Sequence, residues 1–81
     1  MTKWYTYVLK CGDDTLYTGS TTDLTRRSKE HNTGKGGNYT RTRLPVEIVY
    51  KEVYPTRSEA QKREAEIKKL SKTGKLDLIS K

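Results

Sequence analysis

Two phenols and a guanidinium stand at even intervals in this chain: Tyr7, Tyr17 and Arg27 fall ten residues apart, and His31, the only histidine, follows Arg27 by four. Phenols and an imidazole can move protons, and a guanidinium can balance charge building on a phosphate. Brought together they would make a small basic site suited to phosphodiester chemistry. Spacing alone does not bring side chains together, so the elements that carry them decide whether the site exists.

Tyr7 lies in a strand-like run over residues 3–11, with Trp4, Thr6 and Val8 on one face and Tyr5, Tyr7 and Leu9 on the other. Both faces carry large side chains, so this strand should be covered on both sides. Gly12-Asp13-Asp14 reads as a tight turn into a hairpin partner over residues 14–19, which holds Tyr17. Asp23 suits an N-cap for a helix from Leu24 to about Asn32, and Gly34 suits its C-terminal cap. Within that helix Leu24, Arg27, Ser28 and His31 share one face. Leu24 is its strong apolar anchor and should turn Arg27 and His31 inward with it, leaving Arg26 in solvent.

The rest of the chain repeats this logic. Pro45 opens a third strand over Val46–Tyr54, closed by Pro55 and Thr56. Thr56–Glu59 and Ser58–Gln61 both match the capping box, which predicts a second helix from near Ser58 to about Leu70 or Ser71, stopped at Gly74. Leu76–Ile79 should form a short terminal helix. Ala60, Glu64, Ile67 and Ser71 form the inward stripe, so Glu64 sits where packing alone would favour an apolar side chain. Such a carboxylate either pairs with an arginine, Arg27 above all, or holds a hard divalent cation. The expected architecture is one α+β domain over residues 1–81, ordered β-β-α-β-α, with a mainly antiparallel three-stranded sheet flanked by helices.

Composition narrows the function classes. Only 31% of the 81 residues are apolar, with six tyrosines and no phenylalanine, so amphipathic rings must supply much of the core. A net charge of +7 points to a polyanion, nucleic acid before an acidic membrane. The chain has no apolar run of membrane-spanning length, and Trp4–Leu9 is too short for a signal-peptide core, which makes the cytoplasm the default location. A lone cysteine, Cys11, excludes an internal disulfide and a cysteine metal cluster, and suits a packed strand position. Gly34–Asn38 is glycine-rich but no Walker-type Gly-Lys-Ser/Thr follows, so no nucleotide or other small-molecule cofactor is expected. Lys35, Arg41 and Arg43 could instead form a mobile basic flap on a sugar-phosphate backbone, with Tyr39 stacking on a base. The alternative is a plain connector.

Tyr5-Thr6-Tyr7, Tyr17-Thr18-Gly19 and Arg27 together resemble the core of the GIY-YIG nuclease family, in its small stand-alone bacterial (UPF0213-like) branch. His31, the Gly34-Lys35-Gly36 loop with Tyr39-Thr40-Arg41, and Arg63-Glu64 with Ile67-Lys68 extend the likeness over nearly the whole chain. The resemblance implies a metal-dependent DNA endonuclease. Tyr7 would be general base, Tyr17 would orient water or phosphate, and Arg27 would stabilise the phosphorane. His31 would serve the leaving oxygen or the phosphate, and Glu64 would be the sole protein carboxylate on one Mg2+ or Mn2+. Gly19 would let the backbone pass close to the tyrosines. The chain departs from the pattern at Tyr5, at Ser20 where many members have lysine, and after Glu64, where no asparagine follows. No sequence-reading element is visible, so specificity would be for DNA structure, branched or single-stranded, or would come from a protein partner. A non-catalytic DNA- or RNA-binding module is the main alternative reading, and a protein-interaction domain the third.

Overall fold

Three strands and four helices follow one another in a computed structural model that describes residues 2–35 and 37–80, with only the backbone of Asn38 and Tyr39. The elements are β1 (Trp4–Lys10), β2 (Leu16–Thr21), α1 (Leu24–Asn32), α2 (Asn38–Arg41), β3 (Glu47–Tyr54), α3 (Arg57–Lys68) and α4 (Lys72–Ile79). The sheet order is β2-β1-β3, and both pairings are antiparallel. The expected α+β class and element order hold, with α2 as an addition.

Central β1 is covered on both faces, as its pattern predicts. Thr6, Tyr7, Val8 and Leu9 are all buried. On one face Tyr7 and Leu9 join Cys11 and Val46 in a core against which Tyr17, Leu24 and Ile48 pack. On the other, the Thr6 hydroxyl donates to the Ala60 carbonyl of α3 at 2.7 Å, so a strand threonine buried without exposure is satisfied by a helix backbone. Ala60 and Ile67, the fully buried residues of α3, are the apolar members of its predicted stripe.

The caps explain where the helices start and stop. The Asp23 carboxylate accepts from the Arg26 N–H at 3.0 Å to begin α1. At its other end the Lys35 N–H reaches the Glu30 carbonyl and the Gly34 N–H reaches that of His31, with Gly34 at φ 83°. That is a Schellman closure, in which a left-handed residue favours glycine. Asn32 then donates to the Val46 carbonyl at 3.0 Å and accepts from its N–H at 2.9 Å, which pins the entrance of β3 to the end of α1.

Thr56, not Ser58, caps α3 by accepting from the Glu59 N–H, so the helix begins one residue early, at Arg57. It also ends sooner than its stripe suggests. Ser71 accepts from the Gly74 N–H and starts α4 at Lys72, so Gly74 lies in the first turn of a new helix rather than stopping the old one. The sequence pattern carries α3 on to Leu70 or Ser71 because Ser71 sits on the α3 periodicity while also being a good N-cap. Glu52 joins β3 to α3: Arg63 donates to its two oxygens at 2.9 and 3.2 Å, and the hydroxyls of Tyr50 and Tyr54 donate to the same carboxylate. Among the described residues no helix is long and apolar enough to cross a membrane.

Candidate active site

Strand register brings the two phenols to one face. Tyr7 stands opposite Gly19, and Leu9 opposite Tyr17, so Tyr7 and Tyr17 are diagonal neighbours beneath α1. The Tyr7 side chain, only 1% exposed, lies across Gly19. A Cβ at residue 19 would come within 2.5 Å of Tyr7 Oη and 2.7 Å of Cζ. Glycine is required there by the ring that passes over it.

Helix α1 then delivers Arg27 and His31 to that phenol, as their shared face predicts. His31 is fully buried. Its Nε2 lies 3.1 Å from Tyr7 Oη, and its Nδ1 lies 2.7 Å from Thr40 Oγ1. The imidazole also meets both phenol rings edge-on, at centroid separations of 6.1 Å for Tyr7 and 5.5 Å for Tyr17. Burial, and then the nearby Arg27 guanidinium, hold the His31 pKa below its ordinary value, while Glu30 opposes them more weakly. The imidazole is therefore neutral at neutral pH.

Tyr7 carries the opposite shift. Burial raises its phenol pKa, and hydrogen bonding and charge from Arg27 work against that rise. Arg27 in turn is raised, chiefly by its hydrogen bond with Tyr7. Its ion pair with Glu30 spans 3.3 Å. Glu64 reaches the group from α3: it is close enough to act electrostatically on the Tyr7 phenol, and its side chain is 21% exposed. Its carboxylate pairs with Lys68 at 2.7 Å, one turn along the same helix. Tyr7, Tyr17, Arg27, His31 and Glu64 thus gather on one region, as their faces predict.

The basic segment between α1 and β3 is tied to the site by one buried side chain. Thr40, 1% exposed, anchors α2 to His31, so the segment is pinned at its middle. Lys35 and Arg41 remain exposed beside that anchor, while Arg43 turns to Asp13 in the β1–β2 turn at 3.2 Å. The Tyr39 side chain lies outside the described residues. Thr40 is the member of the site that sequence reasoning missed: a threonine in a glycine-rich stretch carries no periodicity to mark it as buried.

With Glu30 engaged by Arg27, Glu64 sets what cation chemistry could suit this site. Among the described residues no group of three or more His, Cys, Asp or Glu side chains could hold a metal ion. A zinc-type cage is therefore not built here, whereas one half-buried carboxylate suits a hard cation that keeps most of its waters.

Comparison with known proteins decides the family. The GIY-YIG catalytic domain model matches residues 3–77. The chain belongs to the GIY-YIG family. That is a family of nuclease domains, and its substrates are nucleic acids. The GIY-YIG chain is 51% identical over 79 residues to a UPF0213 protein of Staphylococcus haemolyticus, covering 98% of this chain and 96% of that one. It is 54% identical over 76 residues to a UPF0213 protein of Clostridium perfringens, covering 94% and 82% of the two chains. The solution NMR structure of a UPF0213 protein from Bacillus halodurans superposes with a TM-score of 0.62 at 45% identity, over 96% of this GIY-YIG chain and 83% of that chain. A protein from E. faecalis, also solved by NMR, gives 0.66 at 43% identity, over 99% and 85%.

Proposed function

We propose that this GIY-YIG domain is a divalent-metal-dependent endonuclease that hydrolyses phosphodiester bonds in DNA. The observation that carries the reading is the Tyr7 phenol, held between His31 Nε2, the Arg27 guanidinium and the field of Glu64. A phenol with an ordinary pKa near 10 is a poor base by itself. With a neutral imidazole 3.1 Å away it need not become a free phenolate. Water gives its proton to Tyr7 Oη as it attacks phosphorus, and the phenol passes its own proton to His31 Nε2. The bond to the leaving oxygen breaks, that oxygen takes a proton from solvent, and the relay returns its proton to solvent through Tyr7.

Arg27 acts beside this relay on the charge that develops on the phosphoryl oxygens. Tyr17, half-buried and edge-on to His31, orients the water or a phosphate oxygen. In this reading His31 works through Tyr7, whose hydroxyl lies 3.1 Å from its Nε2. Glu64 would hold one Mg2+ or Mn2+, which when bound supplies Lewis-acid stabilisation of the phosphoryl oxygens. Lys68 must then leave the carboxylate, an exchange open to a half-exposed, flexible side chain. Lys35 and Arg41 lie exposed beside the Thr40 anchor and would meet the sugar-phosphate backbone, with Arg43 serving the turn instead.

The Glu64–Lys68 pair is also what a non-catalytic nucleic-acid-binding module would show, since it occupies the carboxylate that would hold the ion. Purified protein is to be incubated with branched, single-stranded and duplex DNA plus Mg2+ or Mn2+, beside Glu64→Ala. Nicking by the wild type alone supports the enzyme. Equal background from both proteins, with salt-sensitive binding retained, supports the binding module.

A further inference from the structure

The buried contact between His31 and Thr40 bears directly on which way the Tyr7 proton can travel. A neutral imidazole has one N–H donor and one acceptor nitrogen, and each partner of His31 is a hydroxyl able to play either part. Two arrangements follow. In one, Nδ1–H donates to Thr40 Oγ1 and Nε2 accepts the Tyr7 O–H. In the other, Thr40 donates to Nδ1 and Nε2–H points its proton at Tyr7 Oη. Only the first lets Tyr7 give its proton away while receiving another, because only there is Nε2 a free base. We propose that Thr40 is a positioning residue that holds His31 in the Nδ1–H tautomer and so makes Tyr7 competent to accept a proton from water.

Three observations support this assignment. The Arg27 guanidinium already donates to the Tyr7 oxygen, so the phenol proton is left to find an acceptor, and 3.1 Å away Nε2 is that acceptor only in the first arrangement. Tyr7, His31 and Thr40 are each 1% exposed or less, so no bulk water competes for either ring nitrogen. The Schellman closure at Gly34 turns the chain back directly after α1, which brings Thr40, nine residues beyond His31, against its ring. The groups facing His31 are Tyr7 from β1, Tyr17 from β2, and Arg27 and Glu30 from α1 itself. Tyr7, its pKa raised by burial, and Thr40 are neutral at pH 7, and Arg27 opposes a charge on the ring. When His31 takes the Tyr7 proton it becomes a donor at both nitrogens, and Thr40 Oγ1 continues to accept from Nδ1 without rearranging. The segment around Thr40 thereby has a chemical task beyond carrying basic side chains.

This inference rests on the proposed nuclease reading for its consequence, but its central claim is testable without substrate. Long-range 1H–15N NMR of the imidazole distinguishes the two tautomers of the wild type directly. His31 should show a protonated Nδ1 and an unprotonated Nε2 at pH 7.5. Thr40→Val replaces the hydroxyl by a methyl of similar size. It should move the ring toward Nε2–H and lower kcat by about 10²-fold, the scale of losing one general base. Thr40→Ser should restore both the tautomer and kcat. A wild-type His31 in the Nε2–H form would overturn the proposal whether or not the protein cleaves DNA. So would a folded Thr40→Val variant with an unchanged tautomer. If the tautomer behaves as expected but no DNA is cut, the nuclease reading fails and the assignment of Thr40 stands.

Discussion

Gly19→Ala tests how tightly the Tyr7 phenol is placed. The new Cβ would lie 2.5 Å from Oη and 2.7 Å from Cζ, whereas ordinary contact begins at 3.4 Å. The ring tip must therefore retreat by about 0.9 Å, on a steep repulsive wall. Tyr7 has little room to do so, since it is packed with Leu9, Cys11 and Val46 in the core and its hydroxyl touches His31. Overpacking of this kind costs about 1–3 kcal/mol. Gly19 does not adopt a positive φ, so alanine is compatible with the backbone and returns about 0.4–1 kcal/mol through the unfolded chain. The net expectation is a loss of about 1–2 kcal/mol, which lowers Tm by roughly 5–15 °C for a chain of this size. Activity should fall further, by about 10²-fold, because a displacement of that size spoils a proton-transfer geometry. Urea denaturation and DNA-nicking rates read the two effects separately. In a Tyr7→Leu background the shorter side chain leaves space, so Gly19→Ala should become neutral or slightly stabilising. A stability loss of the same size in both backgrounds would refute the argument, because the clash would not be with the tyrosine ring.

Lowering pH should destabilise the protein through His31. Its folded pKa is depressed, so its contribution is complete above the ordinary value of 6.5 and is lost as pH falls from there toward the folded value. Urea midpoints at pH 7.5, 6.0 and 5.0 should show that decline, and His31→Asn should flatten it. Glu52→Ala removes the acceptor for Arg63, Tyr50 and Tyr54 together, and should cost about 2–3 kcal/mol in equilibrium unfolding. Substituting Lys35 and Arg41 by glutamine should weaken DNA binding and reduce the magnitude of the log K against log salt slope by about 1.4–1.8, whereas Arg43→Gln should leave the slope nearly unchanged.

Periodicity makes the sheet and the inward faces legible in the sequence. The alternation through Thr6–Leu9 correctly gave a strand covered on both sides, and 3.6-residue phasing put Arg27, His31 and Glu64 on the faces they occupy. Contacts without a period were hidden. Thr40 sits in a four-residue helix too short to show a pattern, and its burial depends on where the Gly34 turn sends the chain. Asn32 reads as an ordinary helix-end residue, and only the fold reveals that its amide grips both backbone groups of Val46. The Glu64–Lys68 pair follows the i,i+4 rule, but the inward placement of Glu64 points first to a distant arginine or a cation and so masks a partner on its own helix.

Scarcity of apolar residues explains why the site and the core overlap. The largest side chains buried to under 2% exposure include Tyr7, His31, Thr6 and Thr40 beside Leu9, Ile67 and Val8. A chain with no phenylalanine fills its interior with groups that carry hydroxyls and ring nitrogens, and each such group must then find a partner inside. Thr6 finds the Ala60 carbonyl, and Tyr7, His31 and Thr40 find one another. Satisfaction of a polar core and assembly of a proton relay are therefore the same requirement in this domain. It follows that truncating Tyr7 or His31 to alanine would report on packing and chemistry at once. Substitutions that keep volume and remove only a hydroxyl's hydrogen bonds, such as Thr40→Val or Tyr7→Phe, are the ones that separate them. By this reasoning Tyr7→Phe should lose cleavage while costing about 2 kcal/mol of stability, because it removes the hydroxyl's contacts with His31 and Arg27 and leaves the ring over Gly19.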